Sequence, residues 1–152
     1  MSDLLHFEDF SQGQNFDLGS LDVSREEIIE FASEFDPQPF HMDEEAGKAS
    51  MLGGLAASGW HTASMVMRLL AENLLNKSTS RGSPGITKLK WMRPVFPGDT
   101  LRVSAEILKT RTLHTRPDLG LVSVRLSAVN QSQEQVLVWE NPIMFARREA
   151  SS

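Results

Sequence analysis

From Trp60 to Leu75 the apolar positions fall three and four residues apart. Trp60, Ala63, Met67, Leu70 and Leu74 make one face, and Val66, Leu69 and Leu75 widen it. The spacing predicts a helix whose broad apolar surface is wrapped by other structure. No proline interrupts it, and Gly59 stands at its start. About 16 residues at 1.5 Å each give a rod of roughly 24 Å, the width of a small domain.

Other periodicities surround this helix. Phe7, Phe10, Phe16, Leu18 and Leu21 alternate weakly and predict a first strand over 15–23. Ser24-Arg25-Glu26-Glu27 has the form of a capping box, so a helix should follow, with Ile28, Phe31, Ala32 and Phe35 on one face. It should end near Phe35, because Pro37 disfavours a helical conformation at Asp36. A short acidic helix is expected over 42–48. A polar connection over 76–85 leads to four strands, over 86–93, 101–108, 119–129 and 135–145. Leu101, Val103, Ala105 and Ile107 should share one face. A turn over 94–99, a basic loop over 109–117 and a turn over 130–134 join them. One strand, helices, a long helix and then four strands predict an α+β fold, an antiparallel sheet packed on the long helix.

Composition narrows the function classes. A chain of 152 residues, 40% hydrophobic, fits a single domain over 1–152 with a real core. A net charge of −5 argues against a general nucleic-acid binder. No cysteine is present, which removes thiol nucleophiles and disulfides. The first ten residues lack the basic and apolar regions of a signal peptide. No apolar run approaches the roughly 18 residues of a membrane span. A cytoplasmic protein is expected, with its Ser-rich and charged tips unstructured and His6 in a tail.

Two ionisable groups stand out. Asp36 and His41 flank Pro37-Gln38-Pro39-Phe40, a loop stiffened by two prolines. They read either as a general acid/base pair sharing one water, or as a helix-ending Asp and a His that caps the next helix. Gly59 reads either as a free helix-start amide facing a ligand carbonyl, or as a glycine needed for tight packing. His61 is expected to be structural, on a mostly buried helix. His114 lies with Lys109, Arg111 and Arg116 in a loop that could meet phosphates or simply be solvated. No pair of histidines has the spacing of a metal site.

Asp36-Pro37-Gln38-Pro39-Phe40-His41 resembles the hydratase motif of the MaoC-like family, the hot-dog-fold (R)-specific enoyl-CoA hydratases and acyl dehydratases. That motif runs Asp-x-Asn-Pro-(apolar)-His and is matched at Asp36, Pro39, Phe40 and His41. Leu55-Ala56-Ala57-Ser58-Gly59-Trp60 is similar to the family's approach to its central helix. Arg93-Pro94-Val95-Phe96-Pro97-Gly98-Asp99 is similar to its Pro-Val-x-x-Gly-Asp turn. The resemblance runs from about Phe7 to Phe145. It departs at Gln38, where the motif has Asn, and at Ser58, where the better-known hydratases often have His.

The resemblance implies a hot-dog fold, with the sheet wrapped around the helix that starts near Gly59. It implies a homodimer or higher homo-oligomer, with the thioester tunnel near the subunit interface. The implied reaction, in fatty acid metabolism, is reversible hydration of a trans-2-enoyl thioester of coenzyme A to the (R)-3-hydroxyacyl thioester. Asp36 and His41 would be catalytic, Gly59 would supply the oxyanion-hole amide, and Pro39, Ser58 and Trp60 would border the substrate. No metal or redox cofactor is implied, and no nucleic-acid or membrane partner. The alternatives are a hot-dog acyl-CoA thioesterase and a non-catalytic module that binds acyl thioesters.

Overall fold

The computed structural model describes residues 3–148. Alternation along the strands decides the architecture. Leu101, Val103, Ala105 and Ile107 are all essentially inaccessible, as are Val122, Val124, Leu126 and Ala128. They belong to β3 (Thr100–Thr112) and β4 (Leu119–Val129), which sit at the middle of a five-stranded sheet. The order is β1 (Asn15–Asp22), β3, β4, β5 (Gln135–Ala146), β2 (Lys88–Trp91). Every neighbouring pair is antiparallel. Register keeps the inner face continuous: Ala105 stands beside Leu126, and Leu126 beside Trp139.

The outer face is polar. Glu106, Arg125, Glu140 and Lys88 stand in one row across β3, β4, β5 and β2. Their charges alternate. Arg125 reaches Glu140 at 2.9 Å and Glu106 at 3.6 Å, and Lys88 reaches Glu140 at 3.9 Å. Such exposed pairs add little stability singly, but their placement keeps like charges from facing each other.

The inner face packs on α3 (Gly59–Asn73), which runs through the core as expected. His61, Thr62, Ala63, Val66, Leu69 and Leu70 are its buried positions, and Leu74 is buried just beyond it. The expected face is therefore rotated. Met67 and Trp60 are exposed, at 38% and 57%. The apolar surface of α3 is wider than the sheet that covers it, so the pattern did not fix which part lies inside.

Before α3 come α1 (Arg25–Phe35) and α2 (Glu44–Lys48). Ser24 caps α1 by accepting from the Glu27 amide, and its hydroxyl also meets the Glu27 carboxylate. Ile28 and Ala32 are buried, whereas Phe35 is exposed and rests on Phe31. Its place at the last turn carries it past the edge of the core.

Three further expectations change. β3 continues past 108 to Thr112, because residues 109–112 pair with 120–123, and the basic loop shrinks accordingly. β2 is only four residues long, and Ile86 and Met92 lie exposed outside it. His6 is not in a tail. Leu5 exchanges backbone hydrogen bonds with Lys77 and Thr79, and Phe7 packs directly on Gly120. A Cβ at Gly120 would come within 2.1 Å of the Phe7 ring, so this position requires glycine. The Ser-rich tip at 151–152 lies outside the described residues. Among those residues no helix is long and apolar enough to cross a membrane.

Leu70→Ala should destabilise the protein by about 2–5 kcal/mol, since Leu70 is fully buried between α3 and the sheet. Met67→Ala should lose far less. Chemical denaturation of both variants checks the rotated face. Equal losses would contradict it.

Candidate active site

The site begins where α1 stops. The Asp36 amide still donates to the Ala32 carbonyl at 2.8 Å, but its backbone turns out of the helix. Pro39 then opens a single 3-10 turn, Pro39–His41, at a position where a proline's missing N–H is no loss. The turn closes through the His41 amide on the Gln38 carbonyl and the Met42 amide on the Pro39 carbonyl, each at 3.0 Å.

This geometry drives the His41 ring inward, and the residue is buried. Its Nδ1 lies 2.7 Å from the Ala56 carbonyl oxygen. A carbonyl can only accept, so Nδ1 carries the proton in this arrangement. In the neutral ring, Nε2 is then left with its lone pair. It stands 3.4 Å from Asp36 Oδ2.

The carboxylate is held by donors on both oxygens. Ser58 Oγ donates to Oδ2 at 2.7 Å, and Gln38 Nε2 donates to Oδ1 at 2.6 Å. Partial burial pushes the Asp36 pKa up. The bonds from Ser58 and Gln38 and the nearby His41 outweigh it, leaving the carboxyl below its ordinary value.

Ser58 links this carboxylate to α3. Its Oγ donates to Asp36 and accepts from the Trp60 amide at 3.3 Å, as the N-cap of the helix. The Gly59 amide finds no acceptor among the described residues. It is a free donor at the positive end of the helix dipole.

Asp36, His41, Gly59 and Trp60 come together in the wall of one cavity of about 400 Å³. Ser58 is fully buried behind that wall, and Pro39 is exposed outside the lining. His61 points elsewhere. Its ring stacks on Phe31 at 4.8 Å, beside a recess lined by Glu27, Glu30 and Glu34. His114 is exposed in the loop before β4. Among the described residues, no cluster of three or more His, Asp or Glu side chains is arranged to hold a metal ion.

Several lining residues escaped the sequence reasoning, notably Thr62, Trp91 and Arg93. Trp91 Nε1 donates to the Gly59 carbonyl at 2.7 Å, and its ring meets Trp60 edge-on at 5.3 Å. A Cβ on Gly59 would come within 2.6 Å of the Trp91 indole. The two readings of Gly59 therefore coincide: packing demands the glycine, and its amide is free. Only the closeness of Trp91 to the Arg93-Pro94 motif hinted at this. Gln38 was marked only by its departure from the motif's Asn; its bond to the Asp36 carboxylate, two residues away, was not foreseen.

Burial of His61 lowers its pKa, with Glu27 opposing the shift only in part. The fold therefore prefers the neutral ring. Stability from this preference should be complete above the unfolded value of about 6.5 and decline as pH falls below it. Thermal melts should show a shallower acid decline in His61→Phe than in the parent.

The comparisons follow the geometry. The model of the MaoC-like domain matches residues 9–129. A protein of Bacillus subtilis, the uncharacterised YdeM, is 32% identical over 143 residues, covering 94% of this chain and 100% of its own length. The crystal structure of a MaoC-like dehydratase from Rhodospirillum rubrum superposes with a TM-score of 0.84 at 40% identity, covering 95% of this chain and 99% of that one. For the fold alone, a Mycobacterium tuberculosis protein described as a double hot-dog fold matches with a TM-score of 0.78 at 19% identity, covering 98% of this chain and 46% of that one. The antiparallel sheet around a central helix is thus the hot-dog fold, and the chain belongs to the MaoC-like dehydratase family.

Proposed function

We propose that this protein hydrates trans-2-enoyl thioesters, coenzyme A esters in the first instance, to (R)-3-hydroxyacyl thioesters, and catalyses the reverse dehydration. Membership in the family supports hydratase or dehydratase chemistry in general. The observation that carries the finer reading is the pairing of Asp36 Oδ2 with the free Nε2 of His41, 3.4 Å apart in a cavity that also holds the Gly59 amide.

Both facing atoms are acceptors. A water on the cavity side that bridges them donates one hydrogen to each, and its oxygen lone pair is directed toward the cavity. In hydration that oxygen bonds to C3 of the enoyl chain as one acceptor takes its proton. The C2–C3 π electrons move toward the thioester oxygen, where the Gly59 amide stabilises the developing negative charge. The acceptor that took the water's proton then returns it to C2 on the same face, and the electrons on the thioester oxygen move back to re-form the carbonyl of the product. Ser58 and Gln38 keep Asp36 ionised and aimed. The chemistry as written uses water and side chains, and calls for no metal or redox cofactor.

We also infer a homodimer. Trp60, Met67, Trp91 and Met92 are large exposed apolar side chains on α3 and near the short edge strand β2. An unpaired edge flanked by such a surface is a natural place for a second copy to pair.

Crotonyl-CoA is the first substrate to assay. Loss of the enoyl-thioester absorbance without free thiol is expected. Thiol release would replace this reading with a thioesterase, and binding with neither change would point to a non-catalytic module. Asp36→Asn and His41→Ala should each lower turnover by about 100-fold or more, as general acid/base roles require. Because both act on one water, the double variant should be little worse than either single one.

A pH profile gives a separate check. The Gln38 amide helps hold Asp36 below its usual carboxylate range. Gln38→Leu removes that donor and raises the Asp36 pKa. The acidic limb of kcat/KM should therefore move to higher pH in this variant, with the basic limb unchanged.

A further inference from the structure

One polar side chain in the wall of the active-site cavity is not used by the reaction proposed above. Thr62 is 2% exposed and lines that cavity together with Asp36, His41 and Gly59. A threonine inside a helix ordinarily turns its hydroxyl back onto the carbonyl three or four residues earlier. Ser64 does the equivalent, donating to the Trp60 carbonyl at 2.7 Å. Thr62 does not, and the Ser58 carbonyl accepts from the Thr62 amide instead, at 3.0 Å. Among the described residues the Thr62 hydroxyl has no hydrogen-bond partner, yet it is not one of the unpaired atoms sealed inside the protein. The hydroxyl is therefore accessible, and the space open to it is the cavity.

Its place on α3 says what it can reach. Ser58, four residues earlier, donates to Asp36 Oδ2 at 2.7 Å. Side chains four apart on a helix are neighbours, about 5–6 Å between Cβ atoms, and they lean toward the helix N-terminus. Thr62 thus leans toward Ser58 and the carboxylate that Ser58 holds. The Gly59 amide is aimed differently. First-turn amides point out past the helix start, and Thr62 lies about 4.5 Å of rise behind Gly59. One thioester oxygen does not serve both donors, whereas a water on Asp36 Oδ2 lies on the side toward which Thr62 leans.

We propose that the Thr62 hydroxyl is the third holder of the reacting water, an inference that rests on the hydratase reading. That water donates one hydrogen to Asp36 and one to His41, which leaves two lone pairs on its oxygen. Thr62 donates to one of them, so the other is turned toward C3. Enclosed waters make about three hydrogen bonds, and Thr62 supplies the third. As the oxygen bonds to C3, one O–H bond breaks and its proton passes to Asp36 or His41. Thr62 keeps its own proton throughout and stays a donor to the same oxygen, now the 3-hydroxyl. In dehydration the same donor supports that oxygen as the C3–O electron pair moves onto it.

The first arm of the test needs no substrate. A crystal structure of the wild-type protein should show a water within about 3.2 Å of Thr62 Oγ1, Asp36 Oδ2 and His41 Nε2. A water on the pair that leaves Thr62 untouched, or no ordered water there, would overturn the proposal.

The second arm is kinetic, with crotonyl-CoA. Thr62→Val keeps the shape and removes the donor. It should lower kcat by about tenfold or more and change KM by less than about twofold, because the water and not the thioester loses its hold. Thr62→Ser should keep near-parental kcat. Thr62→Ala leaves room for a second water in place of the hydroxyl, so its kcat should fall between those of the Ser and Val variants.

A purely structural role predicts the reverse order for the last two, since Val fills the site and Ala leaves a gap. That order, or full kcat in Thr62→Val, would overturn the proposal. If Thr62→Val does not fold, the water contact in the wild-type crystal decides. Failure of the hydratase reading would appear as a wild type inactive on crotonyl-CoA. Failure of the present inference would leave the wild type active and Thr62→Val equally so.

Discussion

The buried extended segment Leu55–Ser58 is the constraint on which the site depends. All four residues are inaccessible or nearly so, and each backbone polar group on such a segment needs a partner. The Ala56 amide donates to the Phe40 carbonyl, and the Ala56 carbonyl accepts from His41 Nδ1. The Ala57 amide donates to the Val95 carbonyl, and the Ser58 hydroxyl reaches Asp36. Four residues thus tie together the Asp36–His41 loop, the turn before β3 and the start of α3. The protonation of His41 and the aim of Asp36 both follow from where this segment lies.

The turn before β3 is built to hold its side of that tie. Gly98 takes a positive φ, which suits glycine. Asp99 is buried, with one carboxylate oxygen on the Phe96 amide and the other on Gln131. The Gly98 amide and the Asp99 carbonyl both bond to Val23, which anchors the end of β1. The Pro-Val-x-x-Gly-Asp pattern therefore works at a distance. It fixes Val95, Val95 fixes Ala57, and Ala57 sets the height of the helix start.

Local signals were legible where local physics decides. The double alternation in β3 and β4, the Ser24 cap and the proline stop after Phe35 all depend on neighbours in sequence. The face of α3 was not legible, because Trp60 and Met67 extend an apolar surface that the sheet covers only in part. Nor was the full length of β3, whose last residues carry outward charges that read as loop. Asp36 and His41 were legible through their motif. Their supporting partners were less so: Ser58 lies 22 residues from Asp36, and Trp91 lies 32 from Gly59. Contacts at that separation are set by topology, which periodicity does not encode.

The departures from the family pattern act on one carboxylate. Gln38 replaces the motif's Asn and donates to Oδ1, and Ser58 stands where His is frequent and donates to Oδ2. An uncharged hydroxyl beside Asp36 adds a hydrogen bond without a second titrating ring. Asp36 then has His41 as its one imidazole neighbour in the cavity wall, and both oxygens stay committed to neutral donors. The carboxylate is kept ionised by hydrogen bonding as well as by charge, and Asp36 lies in the cavity wall. The same hydroxyl caps α3, so the start of the helix and the orientation of the acid cannot move independently.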